Sequence, residues 1–140
     1  MGGNAVPDMA RSFISAFSAL VLGLLINRWL KRNTPQRLAK ICIPFVEETL
    51  KSAGALFFVA DLRLAHFLYG WGETVYEWQV NARIRWYVGV ANMIIHFLFG
   101  WFTYELYHRY GSLAFAILIA GSAHYAWNFL VASVTDRQGA

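Results

Sequence analysis

The stretch Pro44-Phe45-Val46-Glu47-Glu48-Thr49-Leu50-Lys51 decides how this chain is read. It sets two adjacent carboxylates and a lysine inside an otherwise apolar run, 38–60. In a soluble helix this is an ordinary polar face. In a bilayer each ionisable group costs a few kcal/mol and has a functional reason to be there. The remainder of the chain determines which setting applies.

The chain has 140 residues, enough for one domain, and only 14% are charged while 58% are hydrophobic. Soluble domains carry about 25% charged residues, so the depletion points to membrane. Six Trp, seven Tyr and eleven Phe suit aromatic belts at the two interfaces. The net charge of +4 comes with no basic cluster interleaved with aromatics, which excludes a nucleic-acid partner. Cys42 is the sole cysteine, so no internal disulfide forms. The N-terminus lacks the charged n-region and cleavage site of a signal peptide.

Five apolar segments follow one another: 10–30, 38–60, 64–80, 86–107 and 112–135. A helix needs about 20 residues to cross the hydrocarbon core, and the segments are near that length. Pro35 breaks the first basic loop, Asp61-Leu62-Arg63 makes a tight corner, and Asn81-Ala82-Arg83-Ile84-Arg85 makes a second basic turn. The predicted fold is an all-α, polytopic membrane bundle of about five transmembrane helices. A polar, disordered stretch covers 1–9, the membrane domain 10–135 and a cytoplasmic tail 136–140. Orientation follows the positive charges. Arg28, Lys31, Arg32, Arg37, Lys40, Arg83, Arg85 and Arg137 lie on one side; Arg11, Arg63 and Arg109 lie on the other. This bias places the first side in the cytoplasm and the N-terminus outside.

At 1.5 Å of rise per residue, Glu48 lies about 12 Å in from the cytoplasmic end of its segment, and Glu77 and Glu73 about 6 and 12 Å. His96 lies about 15 Å in, and Asn128 and His124 about 10 and 16 Å. Four helices therefore deliver polar groups to one layer in the cytoplasmic half, while His66, Glu105 and His108 belong to the other end. Lys51 reaches Glu47 at i,i+4 and Glu48 at i,i+3. Glu73 and Glu77 share a helix face, as do His124 and Asn128. Gly70-Trp71-Gly72 allows a close helix approach.

Such a layer can hydrolyse a carbonyl compound. The carboxylate paired with Lys51 stays ionised, its neighbour takes a proton from water, and His and Asn from facing helices donate to an oxyanion. No Ser stands beside both histidines and Cys42 is two turns away, so covalent catalysis is not expected. Glu48, His96 and His124 are also a possible zinc set, although Lys51 competes for the carboxylates and no metal is expected. Each group has a structural reading too: an ion pair holding the bundle, solvated Glu73 and Glu77, a packed His96, and His124 with Asn128 as interhelical glue.

The order Glu47-Glu48-x-x-Lys51, Gly70-x-Gly72 with Glu77, a mid-membrane His96, then His124-x-x-Trp127-Asn128 resembles the PrsW family of intramembrane proteases. It is similar, more distantly, to the CPBP/Abi group that includes the CAAX prenyl endopeptidases. The resemblance covers roughly residues 40–132, one motif per helix. It implies that Glu47 or Glu48 activates water, that Glu77 and His96 complete the polar site, and that His124 and Asn128 bind the oxyanion. It implies a membrane protein or peptide as substrate. Glu73 stands where that pattern has phenylalanine. The same fold is thought to occur in a noncatalytic scaffold subunit of a larger membrane assembly, so a structural role is the alternative. A proton relay or small transporter is the third reading; it needs polar groups reaching both faces, and the predicted layer occupies one half.

Overall fold

The computed structural model describes residues 8–80 and 86–138, with side chains described as far as Ser133. Five helices follow in order: α1 Asp8–Asn33, α2 Gln36–Phe57, α3 Leu62–Val80, α4 Trp86–Tyr110 and α5 Leu113–Gln138. They match the five predicted segments within three residues at each end. α1 starts at Asp8 and α5 runs on to Gln138, so the boundaries expected at Ala10 and Thr135 fall inside helices. Most of the expected N-terminal stretch, 1–7, and the basic turn 81–85 lie outside the described residues.

Three helices, α1, α4 and α5, are long and apolar enough to cross a membrane. The surface agrees with a lipid setting. Phe57, Trp86, Trp29, Leu25 and Phe129 are each more than half exposed, whereas the buried apolar positions are mostly alanines. The buried set is instead polar: Glu47, Glu48, Lys51, Ser52, His66, His96 and His124 are at most 3% exposed. Water would expel large apolar side chains from such a surface; lipid does not, and helices there associate through small residues and polar contacts.

Close packing rests on glycine at a few places. A Cβ at Gly70 would lie 2.7 Å from the His96 ring, and one at Gly100 would lie 2.7 Å from His66 Cβ. α3 and α4 thus meet with each helix's glycine under the other's histidine. The α2–α3 corner is built by the chain itself. Ala60 N–H donates to Ala55 O at 2.8 Å and Val59 N–H to Leu56 O at 3.1 Å, closing the last turn of α2. Val59 takes the left-handed position at φ 52°, where glycine is usual. Asp61 then caps α3, its Oδ1 accepting from the Arg63 and Leu64 amides at 2.8 and 3.0 Å. The Arg63 guanidinium hydrogen-bonded to it holds the Asp61 carboxyl below the usual carboxylate range.

Candidate functional site

The site is assembled from all five described helices, with α2 supplying its centre. Pro44 cannot donate to the carbonyl one turn back, yet sits buried within α2, one turn ahead of Glu47-Glu48. Both carboxylates point into the bundle but meet different surroundings.

Glu48 is enclosed. Lys51 Nζ donates to its Oε1, and His124 Nδ1 from α5 lies 2.9 Å from the same oxygen. Lys51 also donates to His96 Nδ1 on α4 at 3.1 Å. That fixes the His96 tautomer: Nε2 carries the proton and donates to Glu73 Oε2 at 2.8 Å. Asn92 Nδ2 donates to the same Glu73 oxygen at 3.3 Å. The line Glu48, Lys51, His96, Glu73 joins α2, α4 and α3.

Glu47 faces the other way. It lines a cavity of about 740 Å³ together with Tyr69, Glu73 and Glu77 of α3, Asn92 of α4 and Asn128 of α5. Asn27 of α1 donates to Glu47 Oε1 at 2.5 Å. His124 Nε2 lies 3.6 Å from Glu47 Oε2, so one imidazole stands between the two adjacent carboxylates. Three exposed cations of α1, Arg28, Lys31 and Arg32, line the same cavity.

The sequence-predicted residues therefore divide. Glu47, Glu48, Lys51, Glu73, His96 and His124 form one contact network. Glu77 and Asn128 line the cavity wall beside it, and Asn128 is exposed. Glu105 and His108 stay away: Trp101 donates to Glu105 at 3.2 Å on the exposed face, and His108 packs against Tyr104 and Tyr107.

His66 is a correction. Expected at the opposite end, it is buried with its Nδ1 3.5 Å from Glu48 Oε2 and its Nε2 3.3 Å from Ser52 Oγ. The depth argument started α2 too late. Counted from Gln36, Glu48 is about 18 Å along the helix, near its middle, rather than about 12 Å. From mid-helix it meets a histidine one turn into α3. The polar groups consequently extend past one half of the bundle, and the objection raised to a relay loses its footing. Asn27 and Asn92 were not anticipated. Each is a lone amide in a long apolar segment, and such a residue is itself a signal that a polar partner is near.

Glu48, His96 and His124 each offer one ligand atom, all within 4.8 Å of one another, a donor set that fits zinc. The Lys51 ammonium contacts two of the three, donating to Glu48 Oε1 and His96 Nδ1. A metal there would have to displace it.

Set against known proteins, this chain matches no family model, no curated sequence and no solved structure.

Proposed function

We propose that the chain is a membrane-embedded peptidase in which Glu47 activates water at the floor of the cavity, the activity that the PrsW/CPBP resemblance implies. The observation that carries this reading is the division between neighbouring carboxylates. Glu48 is neutralised and closed off by Lys51 and His124, while Glu47 is held by one amide and turned to the cavity. A general base must reach both its proton and the substrate, and only Glu47 of the pair lines an open space. Asn128, and the second amide N–H of Asn92, are donors on the cavity wall for an oxyanion. The Glu73–His96 pair and Lys51 set the field around Glu47. The substrate is a membrane protein or peptide, the protein spans the bilayer five times with its N-terminus outside, and the cavity faces the cytoplasm.

Cleavage of a co-expressed panel of single-span membrane substrates tests the activity, with Glu47→Gln as the decisive variant. Undiminished cleavage by that variant would remove Glu47 as the base. Orientation is checked separately by cysteine labelling at Asn33 and Gly111 in intact cells; reaction of Asn33→Cys from outside would reverse the topology.

One observation favours a noncatalytic scaffold as the second reading. The pairs Asn27–Glu47, Glu48–His124 and Glu73–His96 each join two different helices, which is what interhelical glue does. In that case the polar variants lose stability and no substrate is cut.

Lys51 is the resident cation of the Glu48–His96–His124 set in this reading, so the peptidase works without metal. Protein purified without added metal then contains no zinc by elemental analysis. Stoichiometric zinc in the wild type would instead assign these three residues as ligands and retire Glu47-only chemistry.

A further inference from the structure

The cavity has a second end that the hydrolytic reading does not use. Asn27, Arg28, Lys31 and Arg32 come in sequence along the last two turns of α1 and all line it. The three cations are exposed, and among the described residues none has a carboxylate within salt-bridge distance, although Lys31 and Glu77 feel one another's charge. Unpaired cations on a surface are ordinary; three around the mouth of one cavity, with apolar walls below, are a binding arrangement. Leu24 and Leu25 of α1 and Val131 of α5 form those walls. The volume of about 740 Å³ is that of a ligand pocket.

Depth identifies the ligand. Trp29, 61% exposed, follows Arg28 in α1 and shares the cations' depth along that helix, and tryptophan at a helix end marks the headgroup level of a bilayer. Basic pockets between membrane helices at that level bind phosphate-bearing lipid headgroups. The charge pattern agrees with a headgroup held at the mouth and no deeper, because Glu47 and Glu73 would repel a phosphate at the floor. Glu77 lines the same cavity and is the carboxylate that opposes such binding.

We propose that the mouth of the cavity is a binding site for an anionic phospholipid, its phosphate among Arg28, Lys31 and Arg32 and its acyl chain against Leu24, Leu25 and Val131. The site does not depend on the peptidase assignment. Where both hold, bound lipid and peptide substrate compete for one cavity.

Trp127 lines the cavity and supplies the readout. Purified protein in neutral detergent is titrated with phosphatidylglycerol or phosphatidylcholine carrying brominated acyl chains, which quench tryptophan on contact. The expected result is a saturable quenching component for phosphatidylglycerol that Trp127→Phe removes. Each of Arg28→Gln, Lys31→Gln and Arg32→Gln should weaken it about five-fold, and the triple variant on the order of a hundred-fold. Glu77→Gln should tighten it a few-fold, a gain that a damaged fold does not produce. Equal quenching by the two lipids, full retention in the triple variant, or weakening in Glu77→Gln would overturn the proposal. So would complete displacement by millimolar inorganic phosphate, which would assign the mouth to a soluble anion.

Discussion

The adjacent carboxylates make the sharpest prediction, because the same exchange of one oxygen for an amide nitrogen should have opposite consequences one residue apart. Glu48 is 0% exposed and accepts from Lys51, which is itself 1% exposed. Glu48→Gln keeps the shape and removes the charge. Lys51 is then a buried cation whose close partners are all neutral: the carboxamide oxygen, His96 Nδ1 at 3.1 Å and the Tyr69 ring at 4.7 Å. Breaking one side of a buried pair in this way costs about 3–5 kcal/mol. His124 loses the charged acceptor 2.9 Å away as well, which adds to the loss rather than offsetting it. Glu47→Gln has a different balance. The carboxamide retains an oxygen for Asn27 to donate to, and the side chain borders the cavity, so the loss is about 1 kcal/mol, that of one charge-assisted bond becoming neutral. Activity runs the other way: removing a general base costs about 10²–10⁴-fold in rate. The assay is thermal unfolding of both variants in one detergent, paired with substrate cleavage. A Glu48→Gln protein as stable as wild type, or a Glu47→Gln protein that melts first, would refute the assignment of charge to Glu48 and chemistry to Glu47.

Two further outcomes test the frame that holds these groups, alongside the orientation and zinc measurements given above. Gly70→Ala puts a methyl 2.7 Å from the His96 ring, and overpacking of this kind costs about 1–3 kcal/mol; it should also lower activity by displacing His96 from Glu73, and wild-type behaviour in both respects would show that α3 and α4 can separate freely. Val59→Gly should stabilise the α2–α3 corner by about 1 kcal/mol, since a left-handed residue with a Cβ costs about 1–2 kcal/mol; a lower melting temperature would argue that the corner is not formed this way.

The primary structure alone determined the element count and, within a turn, the helix limits. Apolar runs of this length, interrupted by Pro35, Asp61, Gly111 and basic turns, leave few other options. It also determined that Glu47, Glu48, Lys51, Glu73, His96 and His124 belong together, since ionisable groups in such runs must find one another or pay the full cost of desolvation. Tertiary structure alone decided which carboxylate is enclosed and which borders the cavity. Glu47 and Glu48 are identical in composition and adjacent in sequence; about 100° of rotation between neighbouring residues on a helix separates a closed ion pair from a cavity wall. Only packing brings His66 to Glu48, because the contact depends on where α2 begins and on the glycines that let α3 and α4 close. The partnership of Asn27 with Glu47 spans 20 residues and two helices, and no local periodicity encodes it. Depth along a helix can be counted from sequence only once its first residue is known, as Glu48 shows, and azimuth and inter-helix distance are set by side chains meeting across the bundle; the arrangement of this site resides in those quantities.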